Sequence, residues 1–360
     1  MTLSFTWQPA SPESQGLASS RLRALQEALA RRRTHCLLIV RHDRIVAEWY
    51  APEWGADRPH STASLAKALV GGMSLMAALD AGLMGVDDPA WQFIPVWKDE
   101  LLKTKITIRH LATHCSGLED AEEDGRPHDA LTGWKGDFWK RRPDPFSLAL
   151  REAPVLFEPG SRYAYSNPGM AALAYAVTAS LRGSPYPDIR SLLEQRFMDP
   201  IGAAPEEWSI GYGQAYELDG LQLYANWGGG SYSARAAAPV GRLMLRRGDW
   251  QGRPLVDPRW VETVTTYAGT PLPDRSHGDP APASGLGWWT NFDGVWPSVP
   301  RDAFAGAGAG HQLLLVVPSL DLIVVRFGDS LADPSEHCGF WSPVVEHLFN
   351  PLMAAFVGGR

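Results

Sequence analysis

The strongest constraint on this chain is a pattern that occurs near both of its ends. Cys36-Leu-Leu-Ile-Val-Arg41 and Arg44-Ile-Val-Ala-Glu-Trp-Tyr50 are short β-like runs joined at His42-Asp43, the length and chemistry of a tight hairpin. Gln312-Leu-Leu-Leu-Val-Val-Pro318 and Asp321-Leu-Ile-Val-Val-Arg326 repeat the signature near the other terminus. Two distant hairpins of the same kind predict one antiparallel sheet built from both termini.

Helical spacing flanks these runs. Residues 18–33 carry Leu22, Leu25, Ala28 and Leu29 on one face, with Ser19 or Ser20 as the expected N-cap and Arg31-Arg32-Arg33 at the end that favours cations. A terminal helix is expected over 340–357. Between the hairpins, helical patterns at 65–83, 108–114, 170–181, 191–197 and 234–247 are separated by Pro/Gly clusters. The expectation is an α+β chain: a sheet domain of residues 1–60 and 285–360, a mainly helical domain of 61–284, and a cleft between them.

Composition narrows the function. With 360 residues, 45% hydrophobic and 20% charged, the chain can bury a real core. A formal charge of −7 leaves no basic field for a nucleic acid or an anionic membrane. The longest nearly apolar run, 68–79, stops at Asp80, short of the roughly 20 residues a bilayer needs, and reads as a buried helix. The start, Met1-Thr-Leu-Ser-Phe-Thr-Trp-Gln-Pro9, has neither a basic segment nor a continuous apolar one, so the cytoplasm is the expected location. Cys36, Cys115 and Cys338 are odd in number and far apart, which points to reduced, mostly buried thiols. The ten His form no ligand spacing such as H-E-x-x-H, and neither metal nor cofactor is expected. No fixed-period repeat appears, which disfavours solenoids and propellers.

Ser64-Leu-Ala-Lys67 is the only S-x-x-K in the chain and opens an apolar helical run. With Ser64 in the first turn, Lys67 at i+3 lies over it on the same face, where it could take the hydroxyl proton while the positive helix end favours developing negative charge. An N-cap serine beside a surface lysine would read the same way. Tyr165-Ser166-Asn167 follows Phe157-Glu-Pro-Gly160 and precedes a helix, so a turn presents a phenol and an amide; Tyr224-Ala-Asn226 repeats the bare Y-x-N pattern. Free Tyr and Lys titrate near about 10 and about 10.4, so a base at neutral pH requires that one of them be lowered.

In this order Ser64-Leu-Ala-Lys67, Ile108-Arg-His-Leu-Ala-Thr-His-Cys-Ser-Gly-Leu118, Phe157-Glu-Pro-Gly-Ser-Arg-Tyr-Ala-Tyr-Ser-Asn167 and Gly228-Gly-Gly-Ser-Tyr-Ser-Ala-Arg235 resemble the serine hydrolases related to class C β-lactamases, penicillin-binding proteins and family VIII carboxylesterases, over most of residues 20–350. The resemblance implies a β-lactamase-like fold and an acyl-enzyme route in which Ser64 attacks a carbonyl and Lys67 and Tyr165, chosen over Tyr224 by the Phe-x-Pro-Gly lead-in, handle protons. Asn167 would hold substrate or orient Lys67. Which of Lys67 and Tyr165 is the acylation base stays open.

The chain departs from the family at its third motif. Where Lys-Thr-Gly or His-x-Gly is expected, Gly306-Ala307-Gly308 stands, with Ala309 next to supply the second oxyanion N–H beside that of Ser64. The missing cation favours small neutral esters over β-lactams and peptides with a free C-terminus. His311 could compensate in part or be a structural His. Some family VIII esterases carry Trp-Gly-Gly as this motif, but Trp227-Gly-Gly-Gly230 is read as the glycine turn that opens the next helix. Glu119-Asp-Ala-Glu-Glu-Asp124 is read as a solvated run in a loop; Trp134, Phe138 and Trp139, on the same loop region, and Trp288, Trp289 and Trp296, before the third motif, are read as aromatic walls or core. The expected function is carboxylester hydrolysis of a small molecule. The alternatives are a β-lactamase, D-amino-acid peptidase or linear oligoamide hydrolase, and a catalytically silent ligand-binding homologue. The sequence sets no oligomeric state.

Overall fold

The computed structural model describes residues 5–333 and 338–358. Its main sheet has eight strands: β1 (Gln8–Pro9), β2 (Thr34–Arg41), β3 (Arg44–Tyr50), β4 (Ala283–Ser284), β5 (Trp289–Thr290), β6 (Phe304–Gly308), β7 (Gln312–Val317) and β8 (Leu322–Gly328). Their spatial order is β1-β3-β2-β8-β7-β6-β5-β4, antiparallel throughout except for β1 beside β3. The termini meet where β2 pairs with β8, from Arg41 opposite Leu322 to Thr34 opposite Gly328. His42 and Asp43, both at positive φ, make the two-residue turn whose twist suits a hairpin.

The central strands read as continuous apolar runs because both faces of the sheet are covered. Leu37, Ile39, Leu313, Leu315, Leu322 and Val324 point into one core, against Leu22, Leu25 and Leu29 of helix α1 (Ser19–Arg31) and Val344, Leu348 and Leu352 of the terminal helical segment 341–354. Leu38, Val40, Leu314, Val316, Ile323 and Val325 point into the other, with helices α2 (Ala63–Asp80), α3 (Asn167–Ser180) and α4 (Ala234–Leu245). The period of two thus divides apolar residues between two layers, and no polar face remains. α2 is long and apolar enough to cross a membrane, yet 83% of it is buried in this second core.

α4 lies directly on the sheet. Gly241 permits the approach: a Cβ there would stand 2.9 Å from Ile323 Cγ2 and 3.0 Å from Leu314 Cδ1. The two hairpin turns clamp the same helix, Asp43 accepting from Arg242 at 2.8 and 2.9 Å and Asp321 from Arg246 at 2.8 and 3.0 Å. The sheet layer therefore draws β4 and α4 from within the span 61–284.

Two local expectations are corrected. α1 is capped by Ala18 rather than Ser19 or Ser20; Glu13, six residues upstream of Ser19, accepts its N–H at 2.9 Å and does the work of a cap. Trp134, Phe138 and Trp139 lie on a helix, Gly133–Lys140, rather than a loop, with Phe138 buried.

Candidate active site

Ser64 stands at the N-terminal end of α2, in a single 3-10 turn that precedes Lys67. The turn is forced: Ala63 takes φ +46, a rare conformation for a residue with a Cβ, and Thr62 Oγ1 pins the approach by donating to Gly229 O at 2.7 Å. One helical turn then sets Lys67 Nζ 3.0 Å from Ser64 Oγ. From the other side Tyr165 O–H donates to the same oxygen at 2.9 Å.

Tyr165 is placed by the two motifs that precede it. Residues 114–118 bind residues 156–166 as a strip: Gly117 O accepts from Leu156 N, Cys115 O from Gly160 N and His114 O from Ala164 N, each at 2.8 Å. His114 Nδ1 accepts from Ser166 N at 3.2 Å, and its ring stacks on that of Tyr165 with centroids 4.5 Å apart. Ser166 caps α3 by accepting from Gly169 N, which leaves Asn167 at the first helical position facing Lys67. Tyr224, carrier of the second Y-x-N, packs on the apolar core instead.

Lys67 is buried, and its ammonium donates to Asn167 Oδ1 at 2.8 Å and to Trp227 O at 2.6 Å. Burial pulls its pKa down from the usual lysine value to about 7, against the opposing charges of Asp120 and Glu122. Burial moves Tyr165 the other way, well above a free phenol, so it stands protonated. Burial also pulls His114 down to about 3. Asn167 is oriented by Asp120, which accepts from Asn167 Nδ2 at 3.0 Å and from Asn167 N at 2.8 Å. Asp120 corrects the reading of 119–124 as a merely solvated run: Glu122 is exposed, but Asp120 is drawn in, and burial raises its carboxyl above the usual range.

β6 passes so close to the start of α2 that a Cβ at Gly308 would stand 2.4 Å from Thr62 O and 2.8 Å from Ser64 N. Only glycine fits there, and Ala309 follows it into the cavity in front of Ser64. A Cβ at Gly306 would meet Leu65 Cδ1 at 2.5 Å and Ala68 Cβ at 2.7 Å, so apolar atoms of α2 occupy the place a third-motif cation would need. The turn after β6 is held from behind. Gln312 Nε2 donates to Ala309 O at 3.1 Å, and the buried Arg326 guanidinium donates to Gly310 O and His311 O. His311 does not replace the cation: Nδ1 accepts from Leu331 N at 2.9 Å, Nε2 pairs with Phe340 O at 3.0 Å, and burial lowers the ring to about 4.

The cavity in front of Ser64, about 360 Å³, is walled by Tyr163, Trp289, Phe340 and Trp341. Trp288 and Trp296 are core residues. A second, broader hollow on the other side of Ser64 is lined by Trp139, Arg141, Tyr212 and the 227–230 turn. The turn opens α4 as expected, but its Trp227 carbonyl also reaches Lys67, a role that sequence alone cannot signal because every residue has a carbonyl. Among the described residues no group of three or more His, Cys, Asp or Glu is arranged to hold a metal ion.

Comparison with known proteins agrees with this fold. The chain is 24% identical over 326 residues to the 6-aminohexanoate-dimer hydrolase of Paenarthrobacter ureafaciens, covering 88% of this chain and 77% of that one. A putative 6-aminohexanoate-dimer hydrolase from Bacillus anthracis superimposes with a TM-score of 0.70 at 18% identity, covering 98% and 87% of the two chains. A family VIII carboxylesterase does so with a TM-score of 0.66 at 14% identity, covering 93% and 99%. Residues 22–338 match the family model described as Beta-lactamase, and the chain belongs to that family of hydrolases.

Proposed function

We propose that the protein is a serine hydrolase that works through an acyl-enzyme on small carboxylic esters whose acyl part carries no carboxylate. The observation that carries the reading is the convergence of Lys67 Nζ at 3.0 Å and Tyr165 OH at 2.9 Å on Ser64 Oγ, at the floor of a cavity.

A neutral Lys67 amine has two N–H bonds and one lone pair. Asn167 Oδ1 and Trp227 O can only accept, so they take the two N–H bonds and turn the lone pair toward Ser64. Ser64 Oγ then attacks the carbonyl carbon as its proton passes to Lys67, and the carbonyl π electrons move to oxygen. The backbone N–H groups of Ser64 and Ala309 receive that oxyanion, where loss of one donor costs about 3 kcal/mol. Collapse expels the alcohol, whose oxygen takes a proton through Tyr165 O–H, resupplied by Lys67. Water repeats the sequence on the acyl-enzyme and releases the acid. The depressed Lys67 and the raised Tyr165 favour Lys67 as the acylation base.

The third motif presents no cation to the cavity, which favours esters over β-lactams, since neither Gly306 nor the neutral His311 offers a charge to a substrate carboxylate. Linear amides are the second reading, favoured by the 6-aminohexanoate-dimer hydrolase aligned across most of the chain. The test is turnover of p-nitrophenyl butyrate and a chromogenic cephalosporin by wild type and Ser64→Ala, with intact mass to detect the acyl-enzyme. Faster ester turnover, lost in the variant, is the expected result. Ester cleavage that persists in Ser64→Ala would overturn the mechanism, and acylation by the cephalosporin alone would overturn the substrate class.

A further inference from the structure

The charges around the cavity in front of Ser64 have a sign that the reaction itself does not require. Its lining includes two carboxylates, Glu122 and Asp279, and one cation, Lys67, already engaged with Ser64, Asn167 and Trp227 O. Asp279 is fixed in place because its Oδ1 accepts from Trp341 N at 2.9 Å and Ser342 N at 3.0 Å, at the start of the terminal helical segment. Glu122 is exposed at the junction of the two hollows that meet at Ser64, with His128 Nε2 3.5 Å away. The nearby Arg275 is paired with Asp293 at 2.6 Å.

Part of the remaining wall is a connected set of aromatic rings. Trp289 and Trp341 meet edge to face with centroids 6.2 Å apart, Phe340 and Trp341 do so at 5.1 Å, and Tyr163 lies 6.4 Å from Trp289. The face of an aromatic ring is the negative part of its quadrupole and attracts a cation, and carboxylates at the rim focus a field of the same sign. Water bound to such a wall is easily displaced by a weakly hydrated cation, whereas a carboxylate would meet repulsion from Glu122 and Asp279.

We infer that this cavity binds an alkylammonium group, so that the preferred substrates of Ser64 are esters that carry a fixed positive charge. The inference rests on the ester-hydrolase reading and adds to it a selectivity set by Glu122 and the aromatic wall formed by Tyr163, Trp289, Phe340 and Trp341. It concerns ground-state and transition-state binding alike, since the charge lies away from the reacting carbonyl.

The test compares acetylcholine with 3,3-dimethylbutyl acetate, in which carbon replaces the quaternary nitrogen at equal shape. The expected kcat/KM ratio is about tenfold or more in favour of the cation, falling as salt rises toward about 0.5 M. Glu122→Gln and, separately, Trp289→Leu should each lower that ratio severalfold; a ratio cancels any change that Glu122→Gln makes to Lys67. Equal rates, a preference for the neutral isostere, or faster cleavage of a carboxylate-bearing ester would overturn the inference, the last pointing to Arg141 in the other hollow. Calorimetry with tetramethylammonium chloride needs no turnover: a Kd of about 1 mM or tighter, weakened in both variants, is expected, and no binding overturns the inference even for an inert enzyme. Cleavage of p-nitrophenyl butyrate separates the two failures, because its loss strikes the ester-hydrolase reading alone.

Discussion

Two of the buried cations, Lys67 and Arg326, do opposite things. Lys67 and Arg326 are 4% and 0% exposed, and each is surrounded mainly by neutral oxygen acceptors. Lys67 faces Ser64 Oγ, Asn167 Oδ1 and Trp227 O; Arg326 donates to Thr34 Oγ1 at 3.0 Å, His311 O at 3.1 Å, Asp329 O at 2.6 Å and Gly310 O. Burial lowers both, but from different starting points. Lys67 falls to about 7, whereas Arg326 falls only to about 10 and keeps its charge at neutral pH. The same desolvation therefore makes a titratable base from an ammonium and a permanent strut from a guanidinium. One stands beside Ser64, the proposed nucleophile, and the other holds the turn that precedes β7, next to Ala309.

Exchange of the two chemistries should have the largest effect. Lys67→Arg keeps a cation near Ser64 but supplies no lone pair at pH 7, and Lys67→Met supplies neither. Both should lower kcat/KM on p-nitrophenyl butyrate by about 10³-fold or more, with thermal unfolding that still shows one cooperative transition. A Lys67→Arg enzyme within tenfold of wild type would show that titration of this group is not what the site uses.

Arg326→Met tests the strut. It leaves Gly310 O, Asp329 O and the buried His311 O without this donor, and a buried acceptor costs about 1–3 kcal/mol when unpaired. The expected loss is about 3 kcal/mol in denaturant unfolding, with kcat lowered about tenfold through displacement of Ala309. The acidic limb of the pH profile should not move, because the proton acceptor is elsewhere. A shifted limb would mean that Arg326 acts on Lys67 rather than on the turn.

The pH dependence then separates the pair without a gross loss. In the wild type, log kcat/KM should rise with unit slope to a bend near pH 7, where Lys67 loses its proton. Its folded pKa lies below the unfolded lysine value of 10.5, so between about 7 and 10.5 the unfolded chain holds the extra proton. Stability from this group is therefore complete above 10.5 and is lost as pH falls through about 7. Asp120 raises the Lys67 pKa, so Asp120→Asn should move the acidic limb to lower pH while it still accepts from Asn167. An unmoved limb would show that Asp120 orients Asn167 without acting on Lys67 by its charge.

The sequence carries one half of this contrast far better than the other. Ser64 and Lys67 are legible because proton transfer restricts residue type and the i+3 spacing restricts position, whereas Tyr165 is told from Tyr224 only by the family resemblance of its Phe-x-Pro-Gly lead-in. The sheet is legible because turn residues punctuate apolar runs long enough for strands. Arg326 reads as the last residue of a strand, where nothing local says that its side chain turns inward to the 309–311 turn. Asp120 is hidden within an acidic run whose other members face water, and the Trp227 carbonyl has no side-chain signature at all. These groups act through pairs distant in sequence, such as Asp120 with Asn167 and Arg326 with Gly310, that only the completed fold brings together.

The smallest effect belongs to His311, another buried basic group beside the same turn. Its Leu331 and Phe340 partners are backbone groups, its backbone sits at φ +57, and burial holds the imidazole neutral at every pH above about 4. His311→Asn tolerates the left-handed backbone and keeps a short polar side chain, so kcat/KM should change by less than about threefold, with no shift in the acidic limb and no new preference for carboxylate-bearing esters. The cost should appear as about 1 kcal/mol of stability from weakened backbone pairing. A selective loss of rate on anionic esters would instead show that His311 supplies positive charge to the cleft, and the contrast drawn between Lys67 and Arg326 would then need a third, intermediate case.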